Sequence, residues 1–180
     1  MKFHTATFAF FCSLLLSSCD KTYPLPTIEE LGYWGSASAI RNNMSWTGAP
    51  ISVAIDNDYQ GKGFQISIDS LDKYGIPQES LTFSKVPFQP GKSYLFDTYQ
   101  QTDDGLVGAH YFILDDDVLI GSYKVVEDST SFITLTSYDS TSRELKGIFE
   151  ATFVVEHRPD PTYPDTIRFR NGHFHTRLKD

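Results

Sequence analysis

The stretch Arg143-Glu144-Leu145-Lys146-Gly147-Ile148-Phe149-Glu150-Ala151-Thr152-Phe153-Val154-Val155-Glu156 decides the fold. Leu145, Gly147, Phe149, Ala151, Phe153 and Val155 share one face of an extended chain, and Lys146, Ile148, Glu150, Thr152, Val154 and Glu156 share the other. Period-two alternation with one apolar face predicts an antiparallel strand with one side in the core. The expected hairpin partner is Thr166–Leu178, across the proline-rich loop Pro159–Pro164. Within it Ile167 and Phe169 fall in one phase, and Phe174, Thr176 and Leu178 in the opposite one. The reset at Asn171-Gly172 is either a bulge in one long strand or a two-residue hairpin turn. The bulge is favoured because a continuous strand matches its long neighbour.

Working outward, short runs rich in Ile, Val, Phe, Tyr and Thr alternate with turn clusters. The predicted strands are Tyr33–Ile40, Ile51–Ile55, Phe64–Ser70, Ser80–Lys85, Ser93–Gln100, Gly108–Leu114, Leu119–Glu127 and Ser131–Tyr138, followed by the two already described. Asn57-Asp58, Tyr74-Gly75, Pro90-Gly91, Asp104-Gly105 and Asp115 to Asp117 supply turn chemistry between them. No amphipathic helix of useful length appears. About ten strands without a helix predict a single antiparallel β-sandwich, or else a lipocalin-like β-barrel, over residues 32–180.

The N-terminus reads differently. Lys2 is followed by an uncharged run, Thr5 to Leu16, of signal-peptide core length but too short to span a bilayer. Leu16-Ser17-Ser18-Cys19 closes it and resembles a bacterial lipobox. Cleavage after Ser18 would leave Cys19 to carry diacylglycerol as a thioether, with palmitate-class chains on its new amino group. Each buried methylene contributes about 0.8 kcal/mol, so two or three chains anchor durably. Residues 1–18 are thus the expected leader and 19–31 the lipidated cysteine and tether, with Pro24 and Pro26 stiffening it. Thr27 and Glu30 have capping-box spacing, though the end of the linker is the simpler reading.

Only Cys12 and Cys19 occur, so the mature domain would have no thiol, disulfide or thiolate metal site. The chain has 15 basic and 23 acidic residues, and loss of Lys2 takes its net charge from -8 to -9. Nucleic acid, which needs a basic footprint, is not an expected partner.

Few constellations carry chemistry. Arg168, Arg170, His173, His175 and Arg177 form a cationic strip once the phase reset is applied. Such a strip suits a phosphate, carboxylate or acidic glycan. The plainer account is cross-strand pairing with Glu150 and Glu156. His173 and His175 have the i, i+2 spacing of a chelating strand, with His157 or His110 as third ligand, but an exposed edge face explains them as well, and no metal or other cofactor is expected. Asp56, Asp58, Gln60 and Gly61 begin like a calcium loop, yet the twelfth position is Ser67, not Glu. Trp34, Trp46, Tyr99 and Tyr111 are candidate stacking platforms for sugars or partner side chains. No Gly-x-Ser-x-Gly elbow, glycine-rich phosphate loop or closely placed carboxylate pair is present.

Taken in order, Gly32-Tyr33-Trp34, Pro90-Gly91-Lys92-Ser93-Tyr94-Leu95, Ile133 to Asp139, Leu145 to Ala151 and Ile167 to Phe174 resemble a group of uncharacterised Bacteroidota-type lipoproteins. The resemblance covers most of residues 32–178. It implies a lipobox, a linker and one all-β domain, and it carries no activity. In such bacteria charged residues after the lipidated cysteine direct surface display. Asp20-Lys21 matches this only in part, so the surface and periplasmic faces of the outer membrane both stay open. Asp69-Ser70-Leu71 and Asp165-Thr166-Ile167 fit the O-glycosylation triplet of such organisms and are equally ordinary turn sequences.

The expected function is a non-catalytic binding, adhesion or accessory module, lipid-anchored in the cell envelope, with a glycan or an envelope protein as partner. A lipocalin-like carrier of a small apolar ligand is the alternative, and a hydrolase assembled from distant loops is a third.

Overall fold

The computed structural model describes residues 25–57, 61–98, 106–128, 130–158 and 160–179. The leader, Cys19, Tyr99 and, of the calcium-like loop, Asp58 and Gln60 lie outside them. Eleven strands form one sheet. They are β1 (Ser36–Arg41), β2 (Met44–Asn57), β3 (Gly61–Leu71), β4 (Pro77–Pro87), β5 (Ser93–Leu95), β6 (Asp97–Thr98), β7 (Gly108–Asp115), β8 (Val118–Val125), β9 (Phe132–Asp139), β10 (Glu144–His157) and β11 (Thr166–Arg177). All pairings are antiparallel except the two-residue contact of β6 with β7.

The path β11-β1-β2-β3-β4-β7-β8-β10 returns to β11, because β10 bonds β11 along one edge. Its other edge is shared, the first half by β9 and the second by β8. The sheet therefore curls on itself, and its opposite walls press together like the layers of a sandwich. Aromatic rings fill the middle. Phe83 of β4 meets Phe149 of β10 at 5.0 Å between ring centres, and Tyr111 of β7 meets Phe169 of β11 at 5.5 Å.

The alternation read in β10 is observed: Leu145, Gly147, Phe149, Ala151 and Phe153 are buried. In β11 the reset is a bulge, not a hairpin turn. Asn171 takes φ 50°, and the register passes from Phe149 opposite Gly172 to Ala151 opposite Phe169. Glu150 thus faces two residues, Arg170 and Asn171, which is what a bulge is.

Several boundaries differ from the sequence reading. The first strand begins at Ser36, not Tyr33. The second begins at Met44, seven residues before Ile51. Between them Asn42 and Asn43, at φ 47° and 68°, make the two-residue hairpin that matches strand twist. The expected strand Ser93–Gln100 is broken at Phe96, whose side chain turns into the core and stacks on Phe83.

The end of the tether is also folded. Thr27 N donates to Glu30 Oε2 at 2.7 Å, and Glu30 N donates to Thr27 Oγ1 at 3.3 Å. Gly32, at φ 89°, closes the turn, with Gly32 N donating to Glu29 O and Tyr33 N to Ile28 O. One helical turn is therefore capped at both ends. It docks through Tyr33, which is buried, and through Trp34 N, which donates to Pro50 O at 3.1 Å.

Candidate ligand-binding cleft

Two glycines bring the N-terminal segment against the end of β11. Gly32 ends the capped turn, and Gly35, at φ 90°, lets the backbone approach so closely that a Cβ there would stand 2.0 Å from His175 O. Trp34, held between them, meets the His175 ring edge-on at 5.1 Å. The Arg177 guanidinium lies over the Trp34 ring at 5.2 Å. His175 Nε2 is in turn 2.9 Å from Glu144 Oε2.

Arg177 is thus positioned by an aromatic face instead of an acid. Among the described residues no carboxylate pairs with it, since Glu144 is engaged by His175. A cation held this way keeps its forked N–H donors for an oxyanion. The neighbouring wall carries Arg143 and Lys179, with Arg143 Nη2 donating to Lys179 O at 2.7 Å. Together with Glu29, Tyr33 and Ser142 these residues line an open cleft of about 590 Å³.

The predicted strip is divided. Arg177 belongs to this cleft, whereas His175, which touches its Trp34, lines the neighbouring groove with His173, and His173 stands opposite Ser38 and Ile148. Arg168 and Arg170 sit beyond the bulge, beside the Asn42-Asn43 hairpin, where Asn42 Oδ1 accepts from Arg168 N. Their expected partners are used elsewhere: Glu156 lies 3.6 Å from His110, and Glu150 accepts from Asn171 N. Among the described residues neither arginine has an acidic partner, and no group of three metal-ligating side chains occurs.

Two aromatic candidates are corrected. Trp46 is 5% exposed and Tyr111 fully buried, so neither is a platform. Trp46 falls on the inward phase of β2, edge-on to Phe169 at 5.0 Å. Tyr111 falls on the inward phase of β7, and its hydroxyl accepts from Arg41 at 2.9 Å. Burial pushes the Tyr111 hydroxyl well above the usual phenol range. Burial opposes the charge on Arg41, but its contacts with Glu79 and Tyr111 together outweigh this and raise its pKa. Arg143 and Lys179 were missed as cleft residues. Pairing Glu144 with Arg177 in the predicted hairpin would have found them.

Comparison of the chain with protein-family models, with curated proteins and with solved structures gave no match.

Proposed function

We propose that this chain is a lipid-anchored, non-catalytic binding module of the cell envelope, held at the outer membrane through Cys19, and that the cleft beside Trp34 takes an anionic glycan. The observation that carries the reading is the pairing of Arg177 with an indole ring in place of a carboxylate, in a cleft that also holds Arg143 and Lys179. A sugar acid or phosphate offers paired oxygens to the guanidinium fork, and the half-buried Trp34 offers an apolar edge to the ring of the sugar. The lipobox and the resemblance to envelope lipoproteins support the location.

The carrier alternative is weaker, because rings from opposite walls already occupy the interior. A glycan array probed with the mature protein tests the proposal. Uronic-acid or phosphate-bearing glycans should be retained, and Arg177→Ala should release them. Silence on all acidic glycans would remove the glycan reading of the site. Incorporation of radiolabelled palmitate, abolished by Cys19→Ser, tests the anchor separately.

A further inference from the structure

We infer that the cleft engages its ligand in the bilayer that holds the anchor: a phosphate-bearing lipid headgroup. This rests on the proposed anchoring at Cys19 and goes beyond the glycan reading, giving the same site a second anionic ligand that the anchoring membrane itself supplies.

The first support is where the positive charge sits. The chain as a whole carries a net charge of -8, yet the described lining of the cleft brings Arg177 and Lys179 together beside Arg143, with Glu29 the acid among them. An acidic body is repelled by an anionic membrane surface, so a cationic cleft determines which side can approach it.

The second support is reach. The described fold begins its capped turn at Thr27, and Glu29, two residues later, already lines the cleft. Cys19 precedes Thr27 by eight residues, and a fully extended chain covers roughly 3.3–3.6 Å per residue. The base of the turn therefore stays within about 30 Å of the lipid surface. Over so short a leash headgroups are present at high effective concentration, and a cleft of modest intrinsic affinity becomes occupied.

The third support is chemistry. A phosphate ester presents oxygens to the fork of Arg177 and to the point charge of Lys179. The half-buried indole of Trp34 suits the boundary between headgroup and water, where aromatic rings with a polar edge settle.

The test uses the mature chain with Cys19→Ser, which leaves binding to the cleft alone. Vesicles of phosphatidylcholine, and of phosphatidylcholine with phosphatidylglycerol in equal parts, are floated with the protein. The inference expects retention by the second and not the first, and a loss of roughly 10–30-fold in partitioning for Arg177→Gln with Lys179→Gln. Arg168→Gln with Arg170→Gln, at the other end of the strip, should leave partitioning unchanged; an equal loss there would mean diffuse charge attraction and overturn the cleft. Elution by millimolar inorganic phosphate at constant ionic strength would identify a free oxyanion as the ligand and also overturn it. No vesicle binding alongside retained acidic glycans on the array would sink the headgroup inference alone. Silence on both would sink the binding-module reading with it.

Discussion

Phe149 lies over Gly172, its direct cross-strand partner on β11. A Cβ on Gly172 would stand 2.5 Å from the Phe149 ring. The relationship is reciprocal one step along: Phe174 covers Gly147, where a Cβ would stand 2.2 Å from its ring. Each ring shields a strand glycine and brings its apolar surface to the middle of the core. Gly172→Ala must displace a ring packed against Phe83 and Phe169, so it should cost about 1–3 kcal/mol. Phe149→Ala should cost about 3–5 kcal/mol. Urea unfolding followed by tryptophan fluorescence measures both, and an alanine at Gly172 with no change in midpoint would contradict the packing described.

Tyr33 fastens the N-terminal segment to the body. Its hydroxyl donates to Asp69 Oδ2 at 2.7 Å, and both residues are buried. Tyr33→Phe leaves a buried carboxylate short of a donor and should cost about 1–3 kcal/mol. The loss should be local first: amide exchange should quicken at Ile28–Trp34 before β3 responds. Uniform quickening across the sheet would show that this contact supports the whole fold instead.

Asp69 should also give stability a pH dependence of unusual sign. Burial pushes its carboxyl above the usual range, with hydrogen bonds from Ser80 and Tyr33 opposing. The folded state thus holds this proton more tightly than the unfolded chain. The contribution is fully present below the unfolded pKa of about 3.9 and is lost as pH rises through the higher folded value. Asp69→Asn should abolish that loss. Urea midpoints for the two proteins, followed from acid to neutral pH, should diverge most across this interval; parallel curves would refute the assignment.

His110 should act in the other direction. Burial lowers its pKa, with Glu156 opposing. Below about pH 6.5 the unfolded chain takes up a proton that the folded one resists, so stability falls as the pH drops through that range. His110→Gln should flatten this part of the profile. A slope that persists unchanged would assign it to other groups.

Gly35→Ala tests the backbone on which the cleft depends. The left-handed conformation costs a residue with a Cβ roughly 1–2 kcal/mol, and that Cβ would meet His175 O at 2.0 Å. Destabilisation of about 2 kcal/mol or more is expected, together with release of Trp34, read as a red shift in its emission. A stable protein with unshifted emission would show that the segment can dock by another route.

The sheet was legible where one face is plainly apolar. β10 and β11 announce themselves by parity, and even the phase reset between Phe169 and Phe174 is visible in the order of residues. The first half of β2 was not, because Ser45, Thr47, Gly48 and Pro50 break the pattern that Trp46 alone continues. Tyr111 was misplaced because both phases of β7 are apolar: Ala109, Tyr111 and Ile113 against Phe112 and Leu114. Only His110, on the second phase, hinted at which side faces out. The cleft was half legible. Trp34 and Arg177 stood out by type, whereas Arg143 and Lys179 enter it through pairing across strand ends, which composition does not reveal.

The extra residue at Asn171 has a consequence for how this chain can change. Its removal would leave every other residue of β11 on its present side, with Phe169 inside, Arg170 outside and Gly172 inside, and Glu150 would then face Arg170 alone. Deleting two neighbouring residues there would instead set inward Phe169 beside inward Gly172. One side of the cut would exchange inside for outside, sending His173, His175 and Arg177 toward the aromatic interior and Phe174 into water. Length variation at this point should therefore be the loss of the single bulged residue, while almost any outward side chain there remains open to replacement.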